Sequence, residues 1–87
     1  MKILEYSDLD VSKVRSQYRK VIGFLEKDDF YSAEVKKLAE AGLYRAKLDD
    51  SNRLIFKIVS YNGAQYALIL EAVLNHAYDK SKFLRGA

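Results

Sequence analysis

The sequence predicts an α+β fold in which an N-terminal helical hairpin packs on an antiparallel meander sheet. Three apolar-rich runs, Leu43 to Leu48, Arg53 to Ser60 and Gln65 to Leu74, are dominated by β-branched, aromatic and leucine residues and read as strands. The breaks between them, Asp49-Asp50-Ser51-Asn52 and Tyr61-Asn62-Gly63-Ala64, have turn chemistry. Asn62-Gly63 is the strongest local signal, because both residues tolerate the positive φ of a tight type I′ hairpin. Upstream, apolar residues recur at three- and four-residue spacing in two separate segments, the pattern of two one-faced helices.

Taken in order, Ile3 to Tyr6 is a short candidate strand that can pair with the meander. Asp8 or Asp10 can cap the first helix by accepting its free amide protons. Val11, Val14, Tyr18, Val21, Ile22 and Leu25 form the stripe of a helix from about Val11 to Glu26, with Lys13, Arg15, Arg19 and Lys20 on its solvated side. Gly23 weakens that helix slightly and marks a candidate close approach to a neighbour. Asp28-Asp29 reads as a break and a second N-cap. Tyr31, Val35 and Leu38 then stripe a helix over 30–41, with Phe30 and Ala39 on its flank and Gly42 placed to end it.

Within the sheet, Leu54, Phe56 and Ile58 are the expected core face of the second strand. If the connection sets Lys47 opposite Arg53, then Arg45, Lys47, Arg53 and Lys57 share the other face as a basic patch; a one-residue slip would send the first pair to the core side. The third strand is almost wholly apolar, as suits a central strand, and its Glu71 is a candidate partner for a nearby cation or, in principle, a general base. Beyond it, Phe83 and Leu84 can anchor a polar tail, leaving Lys80, Lys82 and Arg85 near the basic patch.

Eighty-seven residues make one domain, 1–87, with one modest core. The absence of cysteine excludes a disulfide framework and a thiolate metal site and fits a cytoplasmic protein. Charges interrupt the N-terminal residues too early for the pattern expected of a signal peptide, and no apolar run approaches a membrane span. No metal-ligand cluster and no nucleotide-binding loop is recognisable, so neither metal, cofactor nor ATP is expected in these residues. Residues 1–42 carry eight basic and eight acidic side chains, whereas residues 43–87 carry seven basic against four acidic. The whole net charge of +3 therefore lies on the sheet and tail, where it can attract RNA or DNA.

At Leu43-Tyr44-Arg45-Ala46-Lys47-Leu48, followed by Asn52-Arg53-Leu54-Ile55-Phe56, the pattern resembles the RelE/ParE toxin superfamily. That family has a helical hairpin against an antiparallel sheet, a strand of alternating basic residues and an arginine opening the next strand. For its ribosome-dependent ribonuclease branch, the resemblance implies that Arg45 and Lys47 are the first basic pair, Arg53 the central arginine and His76 the later basic residue around the messenger-RNA phosphate. No terminal tyrosine matches, since Lys82 and Phe83 occupy that region and Tyr78 is displaced, which makes the implied toxin site degenerate or divergent. The gyrase-inhibiting branch uses the same fold without that set.

The stretch from Asn75 to Gly86 also looks like the end of a RelE-like domain that precedes a UvrD-like superfamily 1 helicase in some bacterial proteins. The resemblance thus implies a nucleic-acid-binding module serving an attached helicase or larger complex. The alternative is a metal-independent endoribonuclease toxin neutralised by an antitoxin. In the enzyme reading His76 moves protons, being the only imidazole, while Arg53 with Arg45 or Lys47 holds the phosphate. In the binding reading Arg45, Lys47, Arg53 and Lys57, with Lys80, Lys82 and Arg85, contact backbone phosphates, and Tyr44, Tyr61 or Tyr78 stacks on bases. A third reading is docking of the basic face onto acidic side chains of a protein partner.

Overall fold

The computed structural model describes residues 1–39, 42–75, 81 and 83. Its elements run β1 (Lys2–Glu5), α1 (Arg15–Glu26), β2 (Lys36–Lys37), β3 (Leu43–Lys47), β4 (Arg53–Tyr61) and β5 (Ala64–Val73). The strands form one five-stranded mixed sheet in the order β1-β5-β4-β3-β2. The meander β3-β4-β5 is antiparallel, as its alternation predicts, and β1 adds to it in parallel along β5. Among the described residues α1 is the only helix, and no helix is long and apolar enough to cross a membrane.

The β4–β5 hairpin closes at Asn62 and Gly63, with φ of +49° and +78° and Tyr61 opposite Ala64. This is the two-residue turn that Asn-Gly favours, since its left-handed backbone matches the twist of the flanking strands. The β5 strand lies between β1 and β4 and is buried accordingly. Between Ile55 and Phe56 the register shifts, so that Leu70 and Glu71 both stand against Ile55. Such a bulge turns two successive side chains to one face of the sheet.

Helix α1 covers the other face. Val14, Val21 and Leu25 of its stripe meet Leu54, Phe56 and Ile69 of the sheet. Each fully buried large side chain there stabilises the fold by about 1.5–3 kcal/mol. Lys13, Arg15, Arg19 and Lys20 are exposed, the solvated side of an amphipathic helix. The helix starts at Arg15 rather than Val11, because Asp10 spends its Oδ1 on the Ser12 N–H (3.0 Å) and the chain turns there. Neither Asp8 nor Asp10 caps it; Val14 is the N-cap, with no side-chain cap bond. A Cβ on Gly23 would meet nothing within 4 Å, so that glycine marks no close approach.

The second helix expected over 30–41 does not form over its described residues, 30–39. Asp29 caps only a single turn, its Oδ1 accepting the Ser32 N–H at 3.1 Å, and the left-handed Glu34 (φ +50°) ends it. The Ala33 carbonyl then accepts the Lys47 N–H (2.9 Å), and Lys36 and Lys37 pair with Arg45 and Tyr44. Ladder bonds along the open edge of β3 thus replace intrahelical ones. The apolar spacing misleads because its members part company: Val35 packs on the helix-side core, Leu38 on the opposite face, and Tyr31 is 93% exposed. Gly42, at φ +76°, lies in the β2–β3 connection instead of ending a helix.

Candidate nucleic-acid interface

The β3–β4 ladder sets Lys47 opposite Arg53, Arg45 opposite Ile55 and Leu43 opposite Lys57. Cross-strand partners project to the same side of a sheet. Arg45, Lys47, Arg53 and Lys57 therefore share the face turned away from α1, the arrangement expected if Lys47 faces Arg53. The β2 pairing adds Lys36 beside Arg45, a cation the sequence did not place there because the segment reads as helix. Glu71 is in line with Arg45 and Ile55 and is the carboxylate on this face among the strand residues.

The four cations are not equivalent. Arg53 is half-buried, and its Nη1 donates to the carbonyls of Asp49 and Asn52, the latter at 3.0 Å. It clamps the β3–β4 turn with one nitrogen and keeps the remaining guanidinium N–H groups for another acceptor. Lys47 bridges Asp50 at 3.4 Å and Glu34 at 3.7 Å, pairs exposed enough to be worth little. Among the described residues no side-chain hydrogen bond or ion pair engages Arg45, Lys36 or Lys57. Their charge is the least engaged of the face within the fold.

The turn that Arg53 clamps is itself built around Asp49. Its Oδ1 accepts the N–H groups of Ser51 and Asn52, both at 2.9 Å, and its Oδ2 accepts the side-chain amides of Asn52 (2.9 Å) and Gln17 of α1 (3.0 Å). The Asn52 amide, then the Ser51 N–H, holds the Asp49 carboxyl below its ordinary range. Asn52 Oδ1 in turn accepts the Asn75 N–H at 2.9 Å, fixing the exit of β5.

The face is not bare. Leu43, Ile55, Leu70 and Val73 form a second, smaller core on it, with Leu38, Leu68 and Phe83 packed around. Ile55 is fully buried although it alternates with the basic residues, whereas Ile58, expected in the main core, is only partly covered. Phe83, one of the two expected anchors, makes an edge-to-face contact with Tyr6 at 5.4 Å. The buried Ser81 donates its hydroxyl to Glu71, and the Phe83 N–H donates to Ser81 Oγ at 3.2 Å. Glu71 thus engages the tail, in a cleft lined also by Tyr6, Asp8 and Phe83.

Of the tyrosines considered for base stacking, Tyr44 lies on the helix side, stacked on Phe56 at 5.6 Å, and is committed to the core. Tyr61 is 66% exposed. His76, Tyr78, Lys80, Lys82 and Arg85 lie outside the described residues, as does Leu84.

No protein-family model matches the chain, and no curated protein matches it. Among solved structures, the chain is similar to a YoeB/ParE toxin from Agrobacterium tumefaciens, with a TM-score of 0.57 at 11% identity over 87% of this chain and 100% of that one. At that identity the likeness is one of fold: the chain shares its overall α+β fold with that structure.

Proposed function

We propose that the chain is a toxin-like, RNA-binding module whose basic sheet face holds a phosphodiester, with ribosome-dependent messenger-RNA cleavage as its activity and an antitoxin as its regulator. The observation that carries this is the register that gathers Arg45, Lys47, Arg53 and Lys57 on one rigid face. The fold shared with a toxin supports the same reading. Arg45 and Lys57 meet phosphate oxygens directly, and Arg53 adds its unspent N–H groups from a fixed position.

In such a reaction the RNA 2′-oxygen attacks phosphorus, the crowded phosphorane gains negative charge, and the 5′-oxygen leaves with a proton. The cations stabilise that charge, while His76, just beyond Asn75, is the residue suited to proton transfer near neutral pH. The helicase-associated reading rests on the stretch from Asn75 to Gly86, of which the described residues include only Asn75, Ser81 and Phe83. The fold shared with a toxin supports the toxin reading over it.

The test is cleavage of messenger RNA on programmed ribosomes by the wild-type chain, His76→Ala and the Arg45→Ala/Lys57→Ala pair. Cleavage that disappears in both, with RNA binding kept by His76→Ala, is the expected result. Binding without scission by the folded wild type would reduce the function to RNA binding alone, and loss of both would overturn the proposal.

A further inference from the structure

We infer that the hairpin end of the same sheet face is a base-stacking platform for single-stranded RNA, centred on Tyr66 and Tyr61. This rests on the RNA-binding reading above and extends it away from the cations that the toxin resemblance points to.

The registers place the residues. Val59 pairs with Tyr66, which pairs in turn with Lys2, and Lys57 pairs with Leu68. Tyr61, opposite Ala64, lies diagonal to Tyr66 on the same side. The two rings thus continue the face that carries Arg45 and Lys57, beyond the small apolar core and away from the Phe83 anchor. Tyr61 is largely exposed and Tyr66 only partly buried, so each offers ring surface to a ligand. Lys2 hangs over the Tyr66 ring with its Nζ 5.8 Å from the centroid, an outer-limit cation–π contact that a base and phosphate can replace at little cost.

Aromatic rings interleaved with cations on an open sheet are the elements of single-strand recognition: stacking takes the bases, and lysines take the backbone. In a duplex the bases are already stacked on one another and cannot use the rings. Six cations, Lys2, Lys36, Arg45, Lys47, Arg53 and Lys57, share this face with the Glu71 carboxylate, and that imbalance favours a polyanion.

Fluorescence anisotropy with a short labelled oligouridylate, its duplex with oligoadenylate and the matched oligodeoxythymidylate tests the inference, using the wild type, Tyr66→Ala, Tyr66→Phe and Arg45→Ala. Tyr66→Ala should weaken single-strand binding about fivefold or more, Tyr66→Phe should retain it, and the duplex should bind less tightly than the single strand. If Tyr66→Ala is folded and binds as the wild type does while Arg45→Ala is weakened, the platform is refuted and the RNA-binding reading stands. Absence of RNA binding by the wild type removes both. Tighter binding of the deoxy-oligomer overturns the assignment to RNA.

Discussion

Asn52, in the turn between β3 and β4, accepts the Asn75 N–H on its side-chain oxygen at 2.9 Å, across 23 residues of sequence. The same side chain donates to Asp49 at 2.9 Å, so one residue joins the turn to the end of β5. Asn52→Ala should lower stability by about 1–2 kcal/mol, the net worth of two such bonds. Urea denaturation measures that loss. Faster hydrogen exchange at the Asn75 amide would localise it.

Arg53 and Arg45 should separate stability from binding. Removing the Arg53 guanidinium leaves two turn carbonyls without their donor, and Arg53→Ala should cost about 1–3 kcal/mol. Arg45→Ala breaks no such bond and should stay within about 0.5 kcal/mol of the wild type while weakening RNA binding. Denaturant midpoints beside RNA titrations check both; equal stability losses would refute the clamp.

The depressed Asp49 carboxyl makes the turn acid-sensitive. Because its folded pKa lies below the ordinary aspartate value of 3.8, the unfolded chain takes up the proton first. The contribution is complete above that value and is lost as pH falls through the folded pKa. Thermal melting points measured on descending from neutral pH should fall less steeply for Asp49→Asn than for the wild type.

Tyr18 has the opposite sign. Burial, reinforced by its hydrogen bond to the Glu5 carboxylate, pushes the phenol well above its usual value of 10.0. Its contribution to stability is complete below that value and is lost as pH rises through the folded pKa. An absorbance titration of Tyr18→Phe should lack the most alkaline component of the wild-type curve.

Two glycines should respond in opposite directions. Gly23 sits inside α1 with open space where a Cβ would stand, so Gly23→Ala should stabilise by about 1 kcal/mol through helix propensity. Gly63 also has space but holds φ at +78°, and Gly63→Ala should destabilise by about 1–2 kcal/mol through backbone strain alone. Denaturation of both variants checks the signs.

The meander was legible because period-2 alternation and an Asn-Gly turn are local signals, and the implausibility of burying Arg45 and Lys47 favoured the observed register. The segment after α1 was not legible. Val35 and Leu38 fit a helical period, yet only the demand of the β3 edge for partners decides that Lys36 and Lys37 become a strand. The Arg45–Lys57 stripe followed from alternation. Lys2, Lys36 and Tyr66 did not, because their face depends on pairings between strands rather than on any pattern within one. The bulge hides Glu71 in the same way, since two successive residues on one face break the period that would place them.

The two-residue strand Lys36–Lys37 has a consequence for how the protein behaves in a crowd of its own copies. An edge strand is a template for the next chain, and a long apolar edge invites sheet-to-sheet growth. Here the β3 border ends in two exposed ammonium groups on a strand too short to nucleate another. Like-charge repulsion meets any second copy that approaches along that border. By that argument Lys36 and Lys37 guard the border against aggregation.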